Sequence, residues 1–359
     1  MKKLLKMLII VCVFALFPLS VYADDTSDGY IAEFFKLVPE DMEDSLGDSE
    51  NLIAAIGPRE LFSEIFSAAI GSLGGAVSFF LLLLGCVALM GCASFGGGKL
   101  ASVTECAVGV ASSVFIFKRL GEIFLGVGKS LEELSDFFAS LIPLLSAVTV
   151  AGGGGGAASV QHIGMNITLS LVGWIGSSFF YTVASVGFAF GLLVAIGDNG
   201  AASLTKGIKG FFTWTLGIAT ALLTATLSLQ TAVAAASDGA AIRAAKYAAS
   251  GMIPLVGGTV ASALSTLASG LAYAKGVIGA GAIAVMVGII ASPLALLLLY
   301  RLVLSLALML SDFLGVASSS RILGSFRGSF DFLIAVYALS SVLYIFNAVL
   351  FMKSGVAIL

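Results

Sequence analysis

From residue 73 to the C-terminus, apolar stretches alternate with short charged or glycine-rich interruptions. An apolar run of about 20 residues can cross the roughly 30 Å hydrocarbon core of a bilayer as a helix, because a helix satisfies its own backbone hydrogen bonds. The pattern predicts spans over 73–95, 167–196, 211–235 and 332–352, with a shorter one over 100–117 that carries Glu105 near its start. Residues 137–150 are apolar but short and contain Pro143, so they read as a re-entrant or a spanning segment. Residues 252–273 are weakly apolar and rich in Ser, Thr, Gly and Ala, fitting either a span or a cavity lining. The run from Gly276 past Pro293 to Leu310 is too long for one straight span, and Tyr300-Arg301 in its middle is the natural place to divide it. Arg301 then reads as a turn residue snorkelling to the interface, or as a buried charge paired with Asp312. The expected fold is all-α, a polytopic transmembrane protein of six to eight spans.

The interruptions supply the rest of the organisation. Residues 118–136 hold charges of both signs and read as a loop, as do the residues around Arg321 and Arg327. The five glycines 152–156 suit a hinge or a closely packed loop. Small residues mark helix surfaces that allow close approach: Gly187 with Gly191, and the four-residue ridge Gly276, Ala280, Ala284, Gly288.

The N-terminus has a different pattern. Lys2, Lys3 and Lys6 precede an apolar run over 8–16 and then Val21-Tyr22-Ala23, the layout of a signal peptide cleaved after residue 23; an uncleaved first helix is the alternative. Residues 24–57 form an acidic segment, expected outside the cytoplasm, in which Ile31, Phe34, Phe35, Leu37 and Val38 make one short amphipathic helix. It reads as a solvated leader or a docking segment. Pro58 opens a further helix with Leu61, Phe62, Ile65, Phe66 and Ala69 on one face, expected at the interface before the first span. The membrane part is thus 58–359.

Composition agrees with the pattern. Apolar residues make up 59% of the 359 and charged residues 11%, against roughly a quarter charged in soluble domains. Of the 21 acidic residues, twelve lie between Asp24 and Glu64, so the net charge of −3 conceals a lopsided distribution.

Candidate chemistry is sparse. Cys12 leaves with the signal, and Cys86, Cys92 and Cys106 sit in or beside apolar runs, where a thiol behaves as a small hydrophobe. His162 is the single histidine. No paired carboxylates, metal-spaced ligands, nucleophile elbow or nucleotide loop has its partners at suitable spacing, so neither an enzyme nor a metal or cofactor is expected. Basic residues are scattered singly, which gives no support to nucleic acid as a ligand.

One short stretch interrupts the apolar pattern with a helix-forming, charged sequence, ASDGAAIRAAKYAASGMIPLVGG over 236–258. Ser237 and Asp238 can cap a helix near 239–250, and Gly251 with Pro254 ends it. Arg243, Lys246 and Ser250 form one polar stripe on a surface of alanines. This run resembles the central signature of the stage III sporulation protein AE family of endospore-forming Gram-positive bacteria, and the signal peptide and polytopic remainder are similar to that family as well. The resemblance implies a protein of the mother-cell-derived membrane around the forespore. It further implies a membrane-embedded subunit of a channel or secretion-like apparatus, acting with other products of its operon: ring-forming proteins, a cytoplasmic secretion-type ATPase and a forespore-side partner. Asp238, Arg243 and Lys246 are the candidate contacts to a partner or conduit, against the simpler reading of interfacial anchoring. A secondary transporter with broken helices at 137–156 and 252–273, or an adaptor for peripheral partners, are the competing readings.

Overall fold

The computed structural model describes residues 28–39, 58–94, 99–151, 155–174 and 257–353, with isolated helical positions between Thr182 and Ser228. Six helices fill the continuous segments: α1 (Asp28–Phe35), α2 (Pro58–Ser94), α3 (Lys99–Ala151), α4 (Gly155–Trp174), α5 (Gly257–Phe313) and α6 (Ala317–Lys353). No strand occurs among the described residues. Leu73–Ala93, Cys106–Ala151, Ser269–Phe313 and Ala317–Met352 are long and apolar enough to cross a membrane, and the chain is a helical membrane protein. The expected spans at 167–196 and 211–235 fall largely outside the described residues, as does the signal peptide.

Long, uninterrupted helices replace several expected breaks. Residues 118–136 belong to the 53-residue helix α3 rather than to a loop. Their charges fall on the outer side, with Lys118, Glu122, Lys129, Glu132, Glu133 and Asp136 exposed, while Leu120, Ile123, Phe124, Val127, Leu131 and Leu134 are buried. That is a helical period, and packing of the apolar stripe holds the helix where charge density alone suggests a loop. Likewise α5 continues through Tyr300 and Arg301 without a turn, and Arg321 and Arg327 lie inside α6. The interfacial helix expected from Pro58 runs directly into the first span as α2. At about 1.5 Å per residue α3 and α5 are each roughly 80 Å long, so both extend beyond a bilayer core of about 30 Å.

Where α5 does end, the sequence shows why. Gly315 takes φ of 71°, its amide donates to Asp312 O at 3.1 Å, and the Val316 amide donates to Ser311 O at 3.1 Å. This is a Schellman closure, with the left-handed position given to the residue that tolerates it. Asp312 accepts a hydrogen bond from Ser320 across the turn. Asp312 is therefore tied to the hairpin and is not the partner of Arg301.

The core lies where α5 packs against α6, α2 and α3, with α4 laid against α3. Phe79, Leu83, Phe138, Phe326, Phe330, Tyr337 and Tyr344 fill it, with Phe124 on Phe330 and Phe138 on Tyr344 at ring separations of 5.2 and 4.7 Å. Helix α1 sets Ile31 and Phe34 against this bundle, next to α5 and α3. The predicted amphipathic helix thus packs on the bundle instead of trailing as a solvated leader. Hydroxyls in the apolar helices bond their own backbone four residues back, as Ser113, Thr149, Thr168 and Ser341 do at 2.8–3.0 Å. Those bonds give many Ser and Thr hydroxyls of an apolar helix a partner within the helix, while the buried Oγ atoms of Ser319, Ser325 and Ser340 in α6 have no hydrogen-bond partner.

Candidate functional site

The polar groups that matter most among the described residues lie between helices, and one proline organises the central set. Pro293 inside α5 has no amide hydrogen, so the carbonyl of Ile289, four residues earlier, loses its helical donor. Ser130 of α3 fills that place, its Oγ donating to Ile289 O at 3.2 Å. The same Oγ lies 3.1 Å from Tyr337 OH of α6. With the serine proton committed to the carbonyl, the tyrosine is the donor to Ser130, and a relay Tyr337 to Ser130 to Ile289 joins three helices. Ser130 and Tyr337 are both buried.

This relay predicts a compensation. Ser130→Ala leaves a shielded carbonyl and a buried phenol without their partner and should destabilise the protein by roughly 1–2 kcal/mol, since a lost partner costs the desolvation of the group left behind. Adding Pro293→Ala supplies the missing amide and should recover part of that loss. Melting of the two variants and the double variant in detergent measures it, and equal losses with and without proline would break the link between Ser130 and Ile289.

Two charged contacts flank the relay. Arg119 of α3 donates to Glu122 at 2.7 Å and reaches Tyr300 OH of α5 at 3.5 Å. Gly75 of α2 makes room for this contact, since a Cβ there would stand 3.1 Å from Tyr300 OH and 3.4 Å from Arg119 Nη2. One position further along α5, Arg301 forms an ion pair with Asp331 of α6. Nearer the other end of α6, Asn347 donates to Thr168 of α4 at 3.3 Å and to Leu343 O at 2.9 Å. Lys275 of α5, also buried, sits 4.7 Å over the ring of Phe351. In an apolar medium such contacts fix which helix meets which and in what register.

These groups can hold helices together. Cys86, Cys92 and Cys106 are free thiols. Among the described residues no three His, Cys, Asp or Glu side chains gather as a metal site. His162 is exposed and takes part in a local contact with Asn166 on α4.

Of the residues singled out in the sequence, Asp238, Arg243, Lys246, Gly187 and Gly191 lie outside the described residues. On the α5 ridge, a Cβ at Gly276 would meet no atom within 4 Å, Ala280 is buried, and Ala284 and Gly288 are half-buried. At Gly279, beside the ridge, a Cβ would lie 2.2 Å from Met352 Cγ of α6. The interhelical set itself, Ser130, Pro293, Tyr337, Arg119, Tyr300 and Asp331, was not singled out. Two signals for it were present: a proline within an apolar run frees a carbonyl that needs a donor, and a lone acid within one, Asp331, needs a cation.

A helical bundle of this kind is common to many membrane proteins, so the sequence has to decide between them. A sequence model of the family described as stage III sporulation protein AE matches residues 41–355. The chain belongs to the stage III sporulation protein AE family. The match takes in α2 to α6 and also the central run over 236–258. The stage III sporulation protein AE of Bacillus subtilis (strain 168) is 21% identical over 333 residues, covering 90% of this chain and 83% of that protein. No solved structure matches. This is therefore a membrane protein of a sporulation family.

Proposed function

We propose that the chain is a membrane-embedded, non-enzymatic subunit of a channel-like or secretion-like complex that links mother cell and forespore and is needed for late forespore development. In this reading it crosses the mother-cell-derived membrane around the forespore six to eight times after losing its signal peptide. Its partners are the ring-forming proteins and other products of the stage III sporulation A operon, together with a forespore-side protein. Family membership over most of the chain is the observation that carries the reading. The interhelical polar contacts support it, because each is accounted for by holding helices in register.

The transporter reading called for broken helices at 137–156 and 252–273. Helix α3 runs unbroken through 137–151 and α5 through 257–273, which removes most of that motive. The conduit reading predicts that the protein co-purifies from sporulating cells with the ring-forming proteins and moves no solute by itself in vesicles. It also predicts that Arg243→Ala with Lys246→Ala lowers the yield of heat-resistant spores several-fold at unchanged protein level. Solute uptake by the purified chain alone would overturn the reading, and normal spore yield would reduce the Arg243 and Lys246 stripe to interfacial anchoring.

A further inference from the structure

The outer side of α3 carries charge at a depth where its neighbours are apolar. Lys118, Glu122, Lys129, Glu132, Glu133 and Asp136 are all exposed, and at 3.6 residues per turn they share about 100° of the helix circumference. Arg119 meets Tyr300 and Ser130 meets Ile289, two contacts that fix one antiparallel register between α3 and α5. In that register residues 118–136 stand level with 283–301 of α5. The contacts of Phe124 with Phe330, Ser130 with Tyr337 and Phe138 with Tyr344 set the same stretch level with 324–342 of α6. Both levels lie well inside the apolar segments Ser269–Phe313 and Ala317–Met352. On α5, residues 269–282 remain on one side and 302–313 on the other, each roughly 20 Å long. A hydrocarbon core of about 30 Å fits into neither, so a crossing within this segment takes part of the charged side of α3 into the membrane.

Lipid cannot cover this side, because ionised side chains in hydrocarbon are costly and turn to a bundle interior or to water instead. Protein fits it poorly. A protein contact is built on an apolar core, and Leu125 is the one large apolar residue exposed between Lys118 and Asp136. Covering the side would also strip water from ions of both signs, each of which would then need its own counter-charge. We infer that residues 118–136 of α3 line a water-filled path at membrane depth, giving it a wall of mixed charge. The inference rests on the conduit reading for what the path belongs to, and adds which surface of this chain faces it. The path runs outside the described bundle, whose interior is filled by residues such as Phe138, Phe326 and Phe330. Ser292 of α5 provides a reference at the same depth. It is exposed, level with Val127, and set among the half-buried Ile289, Leu296 and Leu299, an apolar side suited to lipid.

The test uses the full-length protein in membranes from sporulating cells, broken so that reagent reaches both sides, with the native cysteines replaced by alanine. Lys129→Cys, Glu133→Cys and Ser292→Cys are each treated with a charged, membrane-impermeant maleimide before and after detergent. The detergent arm shows that every thiol is present and reactive. Lys129→Cys and Glu133→Cys should label before detergent nearly as fully as after it. Ser292→Cys should label about fivefold less before detergent than after, because a charged reagent does not enter hydrocarbon. Full labelling of all three before detergent would put this section outside the bilayer and overturn the proposal. Labelling of Lys129→Cys and Glu133→Cys only after detergent would reveal a protein cover and overturn it as well. The conduit reading is measured separately, by co-purification with the ring-forming proteins, so either can fail while the other stands.

Discussion

Asp331→Ala is expected to lower the stability of the protein by roughly 2–4 kcal/mol, somewhat less than a fully buried pair would lose. Arg301 and Asp331 keep 23% and 29% of their side-chain surface, so the pair is half-shielded rather than sealed. The cost comes less from the lost attraction than from the guanidinium, which stays between α5 and α6 without the carboxylate that offset its desolvation. Arginine cannot relieve this by losing its proton. Replacing both charges, as Arg301→Met with Asp331→Ala, should therefore be milder than Asp331→Ala alone. Thermal unfolding in detergent, read as the loss of the monodisperse protein peak after heating, distinguishes the cases. If the double variant falls as far as the sum of the single ones, the ion pair is not what links α5 to α6.

That pair also shows what the sequence can and cannot carry. The helices were legible because runs of apolar residues are a local signal: the start of α2 at Pro58, the helix around Ile31 and Phe34 and the all-helical character can all be read from residues near one another. Breaks were over-read for the same reason. A cluster of charges at 118–136 and an arginine at 301 look like loops when only their neighbours are considered, yet Phe124 and Leu131 on the inner side of α3 and Asp331 on α6 keep both stretches helical. Asp331 is 30 residues from Arg301, and Ser130 is 159 from Ile289, so no window along the chain contains both partners. On α5 a Cβ at Gly279 would meet Met352 of α6 while one at Gly276 would meet nothing within 4 Å, and which small residue meets a neighbour depends on the rotation of α5, which no local pattern gives. The family signature at 236–258, by contrast, was legible in sequence, while most of it lies outside the described residues.

Phe330→Ala should cost roughly 3 kcal/mol, whereas Phe115→Ala should be close to silent, and the contrast between them tests where lipid meets the bundle. Phe330 is fully buried and packs on Phe124 of α3 at 5.2 Å, so truncation opens a cavity bounded by α3 and α6. In water-soluble proteins such a change costs about 3–5 kcal/mol, the sum of lost transfer from water and lost packing. In a bilayer the transfer part shrinks, because acyl chains are as apolar as the core, and the packing part remains. The lower end of the range is the consistent expectation. Phe115, 62% exposed on the outer side of α3, keeps most of its surface outside the bundle, so its truncation opens no comparable cavity. Thermal unfolding of both variants in the same detergent gives the comparison. A loss at Phe115 comparable with that at Phe330 would mean that the outer face of α3 near Phe115 is covered by protein rather than lipid.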